Sequence, residues 1–192
     1  MDNTTVHATK GNSCFTTKSI TLMGLFAAIL CISAYCSFPL PIPGSPHITL
    51  QNFVIILIAL LFPMSQSFLI ILVWMILGAL GLPVFVGGAG GIGYIVSPWG
   101  GYTFTFLLIA LLLPIIRRKK YNRIAYTITA VIGVLLIDFL GLVWLQMNNH
   151  LPWSVAFFTG FLDFLPLDLA KAVIAAQIIP AFRAVIHETN RE

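Results

Sequence analysis

The sequence is short of charge. Only 8% of its 192 residues are charged, whereas 59% are hydrophobic, and the mean hydropathy is +0.99. A soluble domain normally carries about 25% charged residues, so this composition indicates a membrane protein with a single domain. The ten basic residues form no stripe interleaved with aromatic side chains, which argues against a nucleic-acid interface.

Cysteine and catalytic motifs are also scarce. The three cysteines, Cys14, Cys31 and Cys36, have neither metal-ligand nor redox spacing, and buried thiols are expected. No P-loop, HExxH or GxSxG pattern occurs. Nothing therefore points to a metal, a cofactor or a nucleotide site within this chain.

Apolar segments of membrane-spanning character dominate what is present. They predict an all-α integral membrane protein with six transmembrane helices, at residues 19–38, 48–62, 66–80, 102–116, 124–147 and 167–184. The membrane domain is predicted to cover residues 19–187, between tails at 1–18 and 188–192. Prolines interrupt the chain at residues 39–46 and at Pro166, and residues 151–164 are expected to form a short interfacial or re-entrant piece.

Lysine and arginine set the expected orientation. With both termini in the cytoplasm, nine of the ten basic residues lie on the cytoplasmic side, five of them between Arg117 and Arg123. This distribution satisfies the positive-inside rule. It places the connection between the third and fourth helices outside the cell.

That connection, residues 81–102, holds more than half of the chain's fifteen glycines. Glycine and proline disfavour a helix, and backbone that is neither helical nor sheet-paired finds no hydrogen-bond partner in lipid. The segment is nevertheless too apolar for a solvated linker. We therefore expect a lid or pocket wall that folds onto the membrane domain.

Lys171 is the one basic residue away from the cytoplasmic segments, and Asp168 lies three residues before it on the same helical face. A lysine at mid-bilayer costs about 2.5–3.5 kcal/mol. The pair is therefore a candidate site for a polar ligand or an ion. The alternative is an internal ion pair, with Asp168 stabilised by the positive end of the helix dipole.

Other polar residues are weaker candidates. Asp138 lies within the fifth span, where a structural hydrogen bond and a ligand contact are equally open, and Gln51 at the outer end of the second span is placed in the same cavity. Asp163 is expected to cap or solvate the start of the last helix. His47 and His150 are expected to face solvent.

Gly24 and Ala28 in the first span have the small-xxx-small spacing that lets another helix approach closely. Packing within the protein is the alternative. For the chain as a whole, two functions remain: a small-molecule binding or transport unit, and an intramembrane acid–base enzyme using Asp138 with Asp163 or Asp168. The lysine beside Asp168 favours the ionised carboxylate and hence binding.

Three segments resemble one known family. GLPVFVGGAGG (residues 81–91), SPWGGY (97–102) and FLPLDLAKA (164–172), in this order, are similar to segments of the BioY family, the substrate-binding S components of energy-coupling factor (ECF) biotin transporters. ITLQNF (48–53) and the six spans also match. The resemblance covers most of the chain beyond the N-terminal tail.

The resemblance implies a prokaryotic plasma-membrane protein that captures biotin from outside. Asp168 would accept the ureido N–H groups, and Lys171 would help to hold the valerate carboxylate. The positions that match the family's loop, or form an apolar wall beside it, are Phe85, Gly87, Gly88, Gly90, Gly91 and Tyr102.

Partners are implied as well. Gly24 and Ala28 match the family's first-helix motif, which meets a transmembrane coupling protein joined to two ATPase subunits. ATP would then be used outside this chain, and biotin would be the transported ligand rather than a cofactor.

The chain departs from the family pattern at ligand-contacting positions. Ala89 stands where some members carry Asn, and Thr103 stands where some carry Arg. Carboxylate binding would then rest more on Lys171. An S component for another small carboxylated vitamin is therefore kept as the alternative, with the enzyme hypothesis a remote third.

Overall fold

The structure, a computed structural model, describes residues 16–39 and 47–188. The rest of the expected tails and most of the proline-rich connection lie outside the described residues. The described chain is mostly helical, with α1 (Thr17–Ser33), α2 (Gln51–Leu61), α3 (Met64–Ala79), α4 (Ile92–Val96), α5 (Gly100–Ile116), α6 (Arg123–Asn149), α7 (Trp153–Phe157) and α8 (Leu165–Glu188).

The α2 helix lies at the centre of the bundle. Ten of its eleven residues are buried, and it packs against α1, α5, α6 and α8. Such a helix has apolar residues all around rather than one apolar stripe, as expected when neighbours cover every side. Its first turn is the exception, since Gln51 and Asn52 are polar and buried.

Local chemistry explains where several helices begin and end. The hydroxyl of Thr16 accepts a hydrogen bond from the Ser19 amide at the start of α1, and Asn122 caps α6 in the same way through Ala125. Between α2 and α3 the chain turns within two residues, the second of which is Pro63. This is the very short turn that the sequence predicts.

The outer surface of the bundle is apolar. Large hydrophobic side chains are exposed along several helices, among them Ile32 at 66%, Ile76 at 48% and Ile128 at 53%. Of the helices in the described residues, α6 alone is long and apolar enough to cross a membrane by itself; α1, α2, α3 and α5 are apolar but have 11–17 residues.

The first span differs from its predicted bounds. The expected helix at residues 19–38 ends at Ser33, and a strand β1 (Ser37–Pro39) follows and pairs antiparallel with β2 (His47–Thr49). The sequence between them is rich in proline, which ends a helix but does not reveal a hairpin. This hairpin joins α1 to α2.

The glycine-rich segment contains more regular structure than expected. A 3₁₀ turn covers Val86–Gly88, α4 follows, and α5 begins at Gly100. Tyr102, predicted as the junction of the connection and the fourth span, lies in the first turn of α5. The Ser97 hydroxyl supports this boundary, because it accepts from the Trp99 amide and donates to the Tyr94 carbonyl.

The C-terminal part is broken where the sequence predicts a break. α7 continues into a π-helical turn, Phe158–Leu162, before α8 begins at Leu165. Pro166 is thus the second residue of α8, where its missing N–H leaves no intrahelical bond unmade. Asp168 lies in the first turn of α8.

Candidate functional site

A cavity of about 150 Å³ opens where the hairpin, the glycine-rich segment and the first turns of α2, α5 and α8 meet. A single water needs only ~10–15 Å³ on this measure, so the cavity has room for a small organic ligand. It is lined by His47, Thr49, Asn52, Val86, Tyr94, Trp99, Tyr102, Thr103, Phe106, Asp138, Phe164 and Asp168.

The Asp168 carboxylate is held by Lys171 of its own helix and by Asn52 of α2. Its Oδ1 atom lies 2.6 Å from Nζ of Lys171, and its Oδ2 atom accepts from Nδ2 of Asn52 at 2.9 Å. The same ammonium donates to the carbonyl oxygen of Thr49 at 2.9 Å. With 3% of its surface exposed, Asp168 is a buried carboxylate that already has a hydrogen bond to each oxygen.

Asp138 is buried to a similar degree but is not satisfied. Only 2% of its surface is exposed, and its Oδ2 atom has no hydrogen-bond partner among the described residues. A buried polar atom without a partner costs about 1–3 kcal/mol. Because Asp138 lines the cavity, that unused acceptor is available to a ligand with N–H or O–H donors.

Two tyrosines close parts of the cavity. The hydroxyl of Tyr102 donates to the carbonyl of Gly160 at 2.8 Å, and its ring packs on Gly141, where any Cβ would collide with it. Tyr94 belongs to α4, outside the predicted spans, and burial raises its pKa to about 12. Its phenol is therefore neutral at physiological pH and can act as a hydrogen-bond donor.

The segment over the cavity is anchored through one carbonyl. The oxygen of Val84 accepts from Nε2 of Gln51 at 2.8 Å and from Nε1 of Trp74 at 2.9 Å. Gln51 therefore supports the segment from below. It was predicted to line the cavity, but it is not among the lining residues. The reason is that its side-chain N–H group is used by the Val84 carbonyl.

Phe85 is also placed differently from expectation. Its side chain is fully buried, with its ring stacked on Tyr94 at 4.8 Å and edge-on to Trp74 at 5.2 Å. It packs so closely on Gly78 that a Cβ there would collide with the ring. Phe85 is thus a core residue beneath the segment, and Val86 is the neighbour that lines the cavity.

The candidate glycines shape the backbone rather than the cavity wall. Gly87, Gly88 and Gly91 have φ values of 71°, 75° and 91°, which favour glycine. Gly90 lies against the carbonyl oxygen of Leu82, leaving no space for a side chain. None of the four is among the residues that line the cavity.

Several lining residues were not predicted. His47 was expected to face solvent; that is wrong in part, because the hairpin carries this exposed side chain to the rim of the cavity. Asn52 reaches Asp168 across 116 residues of sequence, and no local pattern signals such a contact. His150 is exposed at the end of α6, as expected.

The remaining candidate residues, Lys171, Asp163 and the small pair on α1, lie outside the cavity lining. Lys171 does not line the cavity, but 18% of its side chain remains exposed beside Asp168. Asp163 is partly exposed and also absent from the cavity lining. Gly24 and Ala28 are exposed on α1, and a Cβ on Gly24 would meet no atom of the described residues within 4 Å, so packing among these residues does not explain the pair.

A bundle with an apolar exterior and a small polar cavity at one end is the arrangement of a membrane protein that binds a small molecule. The sequence profile described as the BioY family matches residues 4–188. The chain belongs to the BioY family. Membership makes it a component of a transporter and not an enzyme.

Known relatives agree with this assignment. The biotin transporter BioY2 of Lactococcus lactis subsp. cremoris is 33% identical over 175 residues, which are 90% of this chain and 94% of that protein. The biotin transporter BioY of Thermotoga maritima is 36% identical over 156 residues, 81% of this chain and 89% of that protein. These relatives support a location in a prokaryotic plasma membrane.

A solved structure is similar throughout. The crystal structure of the S component for biotin from an ECF-type ABC transporter superposes with a TM-score of 0.81, at 26% identity. The match covers 88% of this chain and 92% of that one. The fold described above is therefore that of an ECF S component.

Proposed function

We propose that this chain binds biotin from outside the cell and takes it up across the plasma membrane as the S component of an ECF transporter. The observation that carries the proposal is the cavity with two buried carboxylates, Asp168 and Asp138, of which the second has an unused acceptor atom. The ureido group of biotin brings two N–H donors, and a carboxylate is the strongest acceptor a protein can offer them.

The two acids have different roles in this proposal. Asp168 keeps its bonds to Lys171 and Asn52 and presents its carboxylate at the wall. Asp138 supplies the free Oδ2 atom. One ureido N–H points to each acid, with the fused rings between Tyr102 and Phe106.

The ligand's carboxylate needs donors as well. No lysine or arginine is among the lining residues, and Thr103 occupies the position where some family members carry Arg. Lys171, with one N–H beyond its two bonds, supplies the positive charge. His47 and Trp99, which line the cavity, add further N–H donors.

The six proposed transmembrane spans correspond to α1, α2, α3, α5, α6 and α8. Both termini are proposed to face the cytoplasm, since this orientation leaves Lys171 as the one basic residue on the outer side. The cavity then opens outward.

Transport is proposed to need partners. The exposed pair Gly24 and Ala28 on α1 offers a close-packing surface for a helix of the transmembrane coupling protein, which would join two ATPase subunits. The chain itself has no nucleotide motif, so ATP hydrolysis takes place on those subunits.

A panel of vitamins tests the ligand. Thermal unfolding of the purified protein is measured with biotin and with other small carboxylated vitamins, each at about 100 times the expected dissociation constant. A ligand at that excess stabilises by about 2.7 kcal/mol, which is several degrees for a chain of this length. Stabilisation by another vitamin and none by biotin would replace biotin with that vitamin, the alternative that Ala89 and Thr103 favour.

A further inference from the structure

A second polar cluster lies at the other end of the bundle, where α2 and α5 end and α6 begins. Nη1 of Arg117 donates to the hydroxyl oxygen of Tyr126 at 3.1 Å, and Nη2 of Arg183 donates to the same oxygen at 2.5 Å. The Tyr126 hydroxyl in turn donates to the carbonyl of Arg118 at 2.8 Å. Two guanidinium groups thus converge on one neutral oxygen whose hydrogen-bonding capacity is filled.

The remaining contacts of this arginine pair are neutral too. Nη2 of Arg117 donates to the carbonyl of Phe62 at 2.8 Å, and its Nε atom is buried with no partner in the described part of the chain. The guanidinium of Arg183 lies over the Tyr126 ring, 5.2 Å from its centre. Each arginine is half-buried, so their mutual repulsion is weakly screened.

No described carboxylate balances these charges. The acidic side chains that the structure describes, Asp138, Asp163 and Asp168, are at the cavity end, and the ion pair formed among the described residues is that of Lys171 with Asp168. Arginine pairs that are partly removed from water usually face an anion, because guanidinium matches carboxylate and phosphate geometry. Among the described residues, the two arginines therefore lack an anionic partner.

The position of the pair identifies the kind of anion. Ile115 and Ile116, 66% and 48% exposed, directly precede Arg117, and Ile124 is 71% exposed just beyond the loop. Lys119 and Lys120 in that loop are exposed. An apolar outer surface that becomes basic within a few residues marks the boundary between lipid chains and headgroups.

We propose that Arg117 and Arg183 bind the phosphate group of an anionic phospholipid, whose acyl chains lie along the exposed isoleucines of α5. Basic pockets between transmembrane helices are suited to lipid phosphates. The phosphate replaces the neutral hydroxyl as the main partner of both guanidinium groups. This site is separate from the cavity and does not depend on its ligand.

Native mass spectrometry of the full chain tests the proposal. Protein in detergent is mixed with phosphatidylglycerol or phosphatidylcholine in about 0.3 M ammonium acetate, where the screening length is below the ~8 Å of physiological salt. We expect retention of phosphatidylglycerol over phosphatidylcholine and a loss of about tenfold in Arg183→Gln, since hydrogen bonds to charged groups are strong. Lys119→Gln, which removes an exposed charge nearby, is the matched control and should change little.

Four outcomes would overturn the proposal. Equal retention of the two lipids by the wild type, or equal losses in Arg183→Gln and Lys119→Gln, would indicate nonspecific attraction. Stabilisation by inorganic phosphate alone, equal to that by phosphatidylglycerol, would indicate a free phosphate site. Loss of co-purifying subunits with lipid retention unchanged would assign the pair to a protein partner.

Folding of the variants is checked by helical content. Arg117→Gln removes a donor to the Phe62 carbonyl and is used only as a second variant. If Arg183→Gln fails to fold, Arg183→Lys takes its place, because it keeps the charge but loses the fork of N–H groups. A retention of phosphatidylglycerol in Arg183→Lys equal to the wild type would contradict phosphate binding by that fork.

Discussion

Lys171 and Thr49 are 122 residues apart in sequence, yet Nζ of the lysine donates to the threonine carbonyl at 2.9 Å. Thr49 is the last residue of β2, so this bond fixes the hairpin against the first turns of α8. The same ammonium lies 2.6 Å from Oδ1 of Asp168. Lys171 therefore joins the hairpin to α8 and has one N–H beyond these two bonds, which we propose for the ligand.

Replacing Lys171 separates its two roles. Lys171→Ala is expected to weaken biotin about tenfold more than biotin amide, because only biotin brings a carboxylate to the remaining N–H. Isothermal titration calorimetry of both ligands measures the difference. Equal losses for the two ligands would show that Lys171 only holds the hairpin and Asp168 in place.

Asp138→Asn tests the unused acceptor in the cavity. The change replaces a carboxyl oxygen with an amide nitrogen that can turn an N–H toward the ligand, so biotin affinity is expected to fall by about tenfold or more. Stability of the free protein should change by less than about 1 kcal/mol, because Oδ2 of Asp138 has no partner to lose.

Two other aspartate variants serve as comparisons for Asp138→Asn. Asp163→Asn removes a carboxylate that does not line the cavity and should leave binding unchanged. Asp168→Asn removes the partner of a half-buried lysine and should lower the unfolding temperature, since breaking a buried ion pair costs up to about 3–5 kcal/mol. A loss of binding in Asp163→Asn as large as that in Asp138→Asn would contradict the assignment.

The Val84 carbonyl is expected to show coupling between its two donors. Gln51→Leu or Trp74→Phe alone leaves one donor on that oxygen, whereas the double variant leaves a buried carbonyl unsatisfied. The double variant should therefore cost about 1–3 kcal/mol more than the sum of the single ones. Denaturant unfolding of the wild type, the two single variants and the double variant measures this coupling. Strictly additive losses of unfolding free energy would show that the two donors do not share the Val84 carbonyl.

Substituting Gly24 in the exposed pair on α1 is expected to affect assembly with the coupling protein and not ligand binding. Gly24→Leu should abolish co-purification with the coupling protein and leave biotin binding intact, because no atom of the described residues lies within 4 Å of a Cβ at that position. Gly24→Ala keeps the small-xxx-small spacing and should assemble normally. Reduced biotin binding in Gly24→Leu would instead indicate a role inside the chain.

Sequence reasoning succeeded where spacing is local. Asp168 and Lys171 lie three residues apart on one helix, so their meeting follows from helical geometry alone, and the break before Pro166 follows from proline chemistry. It failed where distant segments meet. Gln51 donates a hydrogen bond to the Val84 carbonyl, 33 residues away. The hairpin that carries His47 to the cavity depends on strand pairing across the proline-rich segment.

Direct binding of labelled biotin to the purified, folded chain tests the central claim. We predict saturable binding of one biotin per chain with a dissociation constant below about 1 μM, equivalent to about 8.2 kcal/mol or more of binding free energy. Asp138→Asn should lower that affinity. Absence of binding at micromolar biotin, with the helical content intact, would contradict the assignment of biotin as the ligand.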